Sequence, residues 1–358
     1  VRARLVSDRR VGLFLSGGVD STLILSILHA MGLAEGVVCI TGDAGRTDDA
    51  RYAKACIDQL GIKALNLPLP YDRLGFDQFL AICRAQAKPF PMIGNVLGMH
   101  ALYQEVAAHD IRVVLDGTGA DEIFGGYWHR HFAAALRDAR AAGDEAWIAA
   151  AEPSMPNSYR HLHARNGYTP TREIPVLSDL ALLTPEARRR VMGMASRDPL
   201  FAHHGGLAEA LRIDSTAGRM QEWLWQNDRN AMAASVENRS PFLDYRLAAW
   251  LDTPYRAKFG GPWNKRELRQ LFDRFTPLPT AQRRDKQGFR WAFDHFFRNN
   301  LDAVLAMITG AAATRRFVDA GVFADAVRSG RVGLDSHLLH RLTVLAGLEA
   351  SGFAVGGG

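Results

Sequence analysis

The sequence is poor in cysteine, in long apolar runs and in clustered charge. Among 358 residues there are three cysteines, Cys39, Cys56 and Cys83, each isolated. None forms a CxxC pair, and none stands with histidine at metal-ligand spacing. That excludes a disulfide scaffold and a zinc ribbon, and it is expected of a chain in a reducing cytoplasm. Each cysteine is read as a small buried apolar residue. No uninterrupted apolar stretch is long enough to span a bilayer. The basic start VRARLVSDRR is not followed by the apolar region and cleavage site of a secretory signal, so no membrane association is expected. The formal net charge is +5, but the basic residues are dispersed, with the densest clusters at Arg188-Arg189-Arg190 and Arg283-Arg284. Solvated faces plus a site for a polyanionic small molecule account for that balance better than a nucleic-acid groove. No internal repeat is present. The first residue is Val1 rather than Met, which leaves open a truncated chain or a removed or unusual start.

What is present centres on residues 11–31, VGLFLSGGVDSTLILSILHAM. A short apolar run, 11–15, predicts a buried strand. A small Gly-containing turn, Ser16-Gly17-Gly18-Val19-Asp20-Ser21, follows. The Leu- and Ile-rich segment after it is long enough for a helix. Such a turn can cradle an anion. Gly17 and Gly18 let the backbone pass close to a ligand, Ser16 and Ser21 offer hydroxyls, and the free N–H groups of the helix point at whatever sits there. The turn lacks the lysine of the GxxxxGK[ST] loop, and Asp20 stands there instead. An acid beside a phosphate is repulsive unless a divalent cation lies between them.

Strands of four to six residues then alternate with helices. Residues 36–41, 64–69 and 111–115 read as strands, and 48–60 and 95–109 as helices, with Gly61 closing the first of these. The alternation predicts a parallel sheet covered on both faces, with ligands beyond the carboxyl ends of the strands. From about residue 129 the pattern becomes mostly helical, including an Ala-rich stretch over 133–151, a loop-like stretch over 153–175 and helices joined by turns up to 345. This divides the chain into an α/β core over 1–128, a mostly helical part over 129–350 completing the same site, and a frayed tail over 351–358. His129, His131, His161, His163, His203 and His204 show no metal spacing on one element and are read as loop and surface residues.

A second motif, Asp116-Gly117-Thr118-Gly119-Ala120-Asp121-Glu122-Ile123-Phe124-Gly125-Gly126-Tyr127, follows the fourth strand. Its acids stand at the ligand end of the sheet and suit a magnesium ion already held by Asp20. The SGGVDST turn resembles that of the pyrophosphate-loop ATP hydrolases. With GADEIFGGY, DRNAM, ENRSPFLD, the Gly260-Gly261-Pro262-Trp263-Asn264-Lys265 turn and the Arg284–Phe289 block RDKQGF, the chain resembles the synthetase domain of the asparagine synthetase family from residue 11 to about 291. The stretch 130–219 carries little of the likeness.

The resemblance implies an adenine nucleotide alpha hydrolase-like core and a two-step reaction. A carboxylate, aspartate first among candidates, attacks the α-phosphorus of ATP to give an acyl-adenylate and pyrophosphate; ammonia then displaces AMP to form the amide. It implies Mg2+ held by Asp20 and Asp121, pyrophosphate cradled by Ser16, Gly17, Gly18 and Ser21, and phosphate charge neutralised by Lys265 and Lys286. Leu15, Ile40 and Gly117 sit where the family contacts adenosine. Glu237 is expected to accept a proton from the amine, with its pKa raised by burial; the alternative is an ion pair with Arg239 or Arg229. Thr118 departs from the acid of asparagine synthetases and from the tyrosine of β-lactam-forming relatives, which puts aspartate specificity in question. Family members also carry an N-terminal glutaminase domain with a nucleophilic cysteine. Here no such domain is seen and the first cysteine is Cys39, so the nitrogen is expected from free ammonia, a separate glutaminase partner or another amine, unless the chain is a fragment. Alternatives kept open are a carboxylate-adenylating cyclase (β-lactam or lasso-peptide type), sugar-acid amidation, and a non-catalytic nucleotide-binding subunit.

Overall fold

A computed structural model describes residues 1–43, 49–68, 74–90, 93–151, 153, 180–193, 205–284 and 293–354. The first half runs β1 (Arg10–Phe14), α1 (Val19–Ala30), β2 (Val37–Asp43), α2 (Asp49–Leu60), β3 (Ala64–Pro68), α3 (Phe76–Gln86), α4 (Ile93–Ala108), β4 (Ile111–Leu115) and the short α5 (Ala120–Phe124). The four strands and α1, α2 and α4 match the expected alternation to within a few residues at each end, whereas α3 and α5 were not expected. Gly61 ends α2 with φ +63°, and Ile62 N–H donates back to the Ile57 carbonyl at 3.3 Å, the closure expected of a glycine just past a helix end.

Five strands form one parallel sheet in the order β3-β2-β1-β4-β5. The chain starts at β1, builds outward through β2 and β3, then returns to place β4 on the other side of β1. The turns after β1 and β4 therefore flank the point where the strand order reverses, which is where open α/β sheets bind ligands. The outer strand β5 (Glu237–Arg239) comes from the helical half, where only helices and turns were expected. Three polar residues, Glu-Asn-Arg, carry no apolar alternation to announce a strand; pairing with β4 alone makes them one.

Alternate residues of the central strands feed two cores. Val11, Leu13, Leu15, Val113 and Leu115 join α1, α2, α5 and the following helices on one face, while Phe14, Ile40, Ile111 and Val114 face α3, α4 and the C-terminal helices on the other. Ser26, buried on α1, donates to the Thr276 carbonyl at 2.7 Å and accepts from the Thr276 N–H at 3.0 Å, tying the helical half to the sheet layer. Cys39, Cys56 and Cys83 are free and buried, and burial pushes the thiols of Cys39 and Cys83 up to about 12. They behave as the small apolar residues expected.

The helical half includes α6 (Trp128–Ala141), α7 (Glu145–Ala151), α8 (Pro185–Gly193), α9 (Leu207–Thr216), α10 (Arg219–Ala233), α11 (Tyr255–Lys258), α12 (Arg266–Gln270), α13 (Phe293–Gly310), α14 (Ala312–Arg315), α15 (Ala320–Arg328) and α16 (His337–Ala350). The Ala-rich stretch is two helices, divided at Gly143 with φ +64°. His131 is a correction: it is fully buried on α6, and its Nε2 lies 2.8 Å from Asp214 of α9. Arg130 donates to the same carboxylate at 2.9 and 2.6 Å. These bonds hold the Asp214 carboxyl well below its usual range despite the burial that opposes them. His161, His163, His203 and His204, and the loop-like stretch beyond Pro153, lie outside the described residues. Among the described residues no helix is long and apolar enough to cross a membrane.

Helix α16 crosses α3 at Gly347, where a Cβ would come 2.6 Å from a Phe79 ring carbon and 2.7 Å from Cys83 Sγ. Gly347→Ala should therefore destabilise the chain by about 1–3 kcal/mol through overpacking. The roughly 1 kcal/mol gain expected from helix propensity alone predicts the opposite sign. Denaturant unfolding separates the two, and a rise in stability would contradict the close crossing.

Candidate active site

The turn after β1 is knit by its own residues. Ser16 N–H donates to Ser21 Oγ at 3.2 Å, Gly18 N–H donates to Ser16 Oγ at 3.2 Å, and the two serine hydroxyls lie 3.2 Å apart. Gly18 caps α1 in an extended conformation, and Asp20 and Ser21 are buried in the helix's first turn. Gly17 adopts φ +70°, and a side chain there would overlap the Asp49 carbonyl and come 2.8 Å from Ala53 N. Only glycine fits, because α2 begins directly against this turn. Leu15 N–H donates to the Ile40 carbonyl at 2.8 Å, which sets the ends of β1 and β2 level beside it.

The turn after β4 meets the first at Gly117. A Cβ on Gly117 would lie 2.8 Å from Asp20 Cβ and 3.1 Å from Ser21 N, so glycine lets the two motifs touch. The site's cation comes from the helical half. Lys265, buried and held at φ +50° just before α12, extends Nζ to 2.7 Å from Asp20 Oδ1 and 2.6 Å from Asp121 Oδ1. Gly126 makes room, since any side chain there would overlap both Asp121 and Lys265. Four of the expected site residues, Asp20, Asp121, Lys265 and Gly117, thus come together from three separate stretches of chain. Magnesium is a hard cation that takes one or two carboxylates with phosphate oxygens and water. Two carboxylate oxygens converging on one positive charge fit that donor set. Among the described residues no group of three or more His, Cys, Asp or Glu side chains surrounds a common point.

Glu237 is a correction. It was expected to be buried with a raised pKa. Instead its side chain is 59% exposed and pairs with Arg239 at 2.9 and 3.0 Å. That bond to Arg239 holds the Glu237 carboxyl below its usual range. The cause is strand alternation. Residues 237 and 239 share one side of β5, where Arg239 also donates to the Arg4 and Val6 carbonyls, while Asn238 and Ser240 turn to the other side. Lys286 lies outside the described residues.

Thr118 is fixed rather than free. Its N–H and Oγ1 donate to Asp116 at 3.1 and 2.8 Å. Asp116 also accepts from Asn227 and Asn238 at 3.1 Å each and from Ser240 at 2.6 Å. One buried carboxylate at the end of β4 therefore gathers α10 and β5 around Thr118. Sequence reading missed this hub, although an acid placed directly at a strand end was a signal. It also missed Arg283, assigned to a basic cluster. Arg283 is buried, donates to the Gly17 carbonyl at 2.9 Å, pairs with Asp49 and stacks on Tyr52. It clamps α2 onto the phosphate-type turn. Arg269 joins the same wall, donating to the Asn264, Ala281 and Arg283 carbonyls; burial lowers its pKa to about 10, with the charge of Asp20 opposing.

Glu122 carries the buried, raised carboxyl that was sought at residue 237. Burial first, then the charge of Asp121, lifts it to about 7, against a 2.9 Å hydrogen bond from Tyr127 Oη that lowers it. In the unfolded chain it ionises near the ordinary glutamate value, so between about pH 4.3 and about 7 the folded state holds the extra proton. Its contribution to stability is full below that window and is lost as pH rises through it. Glu122→Gln should remove this slope, so the variant gains stability on the wild type from pH 5 to pH 8; a constant difference across that range would contradict the assignment. Separately, Gly17→Ala should weaken pyrophosphate or ATP binding by at least about tenfold in calorimetric titration, because αL strain and overlap with α2 both act there. Unchanged affinity would contradict the turn's role.

The asparagine synthase family model matches residues 1–351. The chain is 26% identical over 279 residues to glutamine-hydrolyzing asparagine synthetase 2 of Bacillus subtilis, covering 74% of this chain and 34% of that protein. It is 25% identical to a putative glutamine-hydrolyzing asparagine synthetase of Mycobacterium bovis, covering 96% of this chain and 55% of that protein. It is 22% identical to the amidase chry2 of Gibberella zeae, covering 70% of this chain and 44% of that protein. The chain thus spans between about a third and about half the length of these relatives. Taken with a parallel sheet whose two central turns carry SGGVDS and GADE, the match over nearly the whole sequence establishes that the chain belongs to the asparagine synthase family.

Proposed function

We propose that the chain is an ATP-dependent amide-forming ligase. It joins a carboxylate to AMP with release of pyrophosphate, then transfers ammonia to the acyl carbon and releases AMP. The observation that carries this reading is the convergence of Asp20 and Asp121, from the turns of β1 and β4, on one cationic point beside a helix N-terminus. Adenylyl transfer needs positioning and charge neutralisation more than covalent help.

The roles carry over from the family resemblance. Ser16, Gly17, Gly18 and Ser21, with the first N–H groups of α1, hold the β- and γ-phosphates. Lys265 and Lys286 neutralise the departing pyrophosphate. Leu15, Ile40 and Gly117 line the adenosine side. Asp20 and Asp121 hold magnesium, which when bound neutralises phosphate charge and sharpens the electrophilic phosphorus. Arg283 keeps the turn in shape through the Gly17 carbonyl. Glu237 is assigned to orienting Arg239 against the N-terminal segment and not to proton transfer, because its carboxylate is engaged and its basicity reduced. A cytoplasmic location is part of the proposal, with nitrogen from free ammonia, a separate glutaminase or a glutaminase domain outside this sequence.

Aspartate is the first acceptor to test. A second reading, another carboxylate, is favoured by Thr118, whose hydroxyl is committed to Asp116 and supplies no acid or phenol. Pyrophosphate release from Mg-ATP should be followed with aspartate, with and without ammonia or glutamine, beside Asp20→Ala. Aspartate-dependent release, asparagine only when nitrogen is supplied, and loss in the variant are expected. Tight ATP binding with no aspartate-dependent release would discard aspartate. Release and product formation without any added amine would point to an internal nucleophile and a cyclase.

A further inference from the structure

Lys265 stands where the metal ion should stand. Its ammonium is within 2.7 Å of one oxygen of Asp20 and 2.6 Å of one oxygen of Asp121. A magnesium ion bonds such oxygens at roughly 2.0–2.1 Å and would occupy nearly the same volume. Ammonium and metal cannot share that point, on steric grounds and because both are cations. Nor is the lysine loosely placed. It is 3% exposed, adopts a left-handed backbone conformation rare for lysine, and passes a glycine, Gly126, that has no side chain to obstruct it.

Removing the ammonium from two carboxylates is costly unless another cation replaces it and another anion receives it. A free divalent ion supplies only the first of these. A magnesium-bound polyphosphate supplies both, since the phosphates would sit on the SGG turn beside Asp20. Lysine suits such an exchange, with a compact charge on a flexible four-carbon stem.

Resting on the assignment of Asp20 and Asp121 as magnesium ligands, we infer that Lys265 is a resident cation that blocks the metal position until polyphosphate arrives. Metal and nucleotide then load as one coupled event, and each raises the affinity for the other by the same factor. Lys265 moves from the carboxylates to the phosphates as the metal enters. Until then, Lys265 keeps free divalent ions out of this position.

Mn2+ is the probe, read by the electron paramagnetic resonance of free against protein-bound ion. The wild-type chain titrated with Mn2+ alone should leave the ion in its aqueous form up to millimolar concentration. With saturating inorganic pyrophosphate, and against a protein-free Mn2+–pyrophosphate control, bound Mn2+ should appear at micromolar concentration. Lys265→Met should bind Mn2+ without pyrophosphate at least about tenfold more tightly than the wild type. Mn2+ should also raise the Tm of the variant and not that of the wild type. The double variant Asp121→Asn/Lys265→Met should lose both effects. Wild type that binds Mn2+ alone at micromolar concentration, unaffected by pyrophosphate, would overturn the exchange while leaving the metal site standing. Failure of every form to bind Mn2+, even with pyrophosphate, would remove the metal site and the exchange together. Should Lys265→Met not fold, the wild-type comparison with and without pyrophosphate decides alone.

Discussion

A buried acid and a half-buried one placed side by side repel, and this site is built around the cation that separates them. Asp20 comes from the turn of β1, Asp121 from the turn of β4, and Lys265 from the entry to α12. Loss of one member of such a cluster leaves an uncompensated buried charge, a penalty of about 3–5 kcal/mol. The surrounding residues are chosen for what they lack. Gly117 lets one turn rest on the other, and Gly126 leaves room for the lysine stem. The strand order brings the two acids together, because β1 and β4 are neighbours although about 100 residues separate them. The helical half supplies the third charge, so the sheet alone cannot complete the site.

The same dependence recurs at the two flanks of the crevice. On one side Arg283 reaches from the helical half to the Gly17 carbonyl and pins α2 against the turn. On the other, Asp116 gathers Thr118, Asn227, Asn238 and Ser240 at the end of β4. The turn after β1 is therefore braced by Arg283 from outside it, and the turn at Thr118 by a carboxylate whose oxygens are filled with donors. In the proposed reaction, preorganisation of this kind would reduce the rearrangement needed as charge develops during adenylyl transfer. In the helical half, α6 and α9 are joined by Asp214 with Arg130 and His131.

The central sheet was legible because buried parallel strands are apolar runs and their turns are rich in glycine. Residues 11–15 and 111–115 led straight into their motifs, and the family resemblance brought Asp20, Asp121 and Lys265 into one reading. Other features had no local signature. The strand at Glu237–Arg239 exists only through its pairing with β4, and its alternation turned Glu237 outward to Arg239. His131 read as a surface residue because its partner, Asp214, is 83 positions away. Arg283 read as part of a basic cluster because its contacts, Gly17 and Asp49, lie more than 230 residues upstream. The raised carboxyl was sought by motif at residue 237 and found by burial at Glu122. Periodicity reports which face is buried; it does not report which polar side chains are buried with it.

The most direct test of the central claim follows an oxygen atom. If the acceptor carboxylate attacks the α-phosphorus of ATP, one carboxylate oxygen leaves with AMP when ammonia forms the amide. Turnover of 18O-labelled aspartate, or of whichever carboxylate supports pyrophosphate release, should place one 18O in the AMP, read by mass spectrometry. Label found in inorganic phosphate with ADP as product, or AMP formed without label, would contradict an acyl-adenylate made at the junction of the β1 and β4 turns.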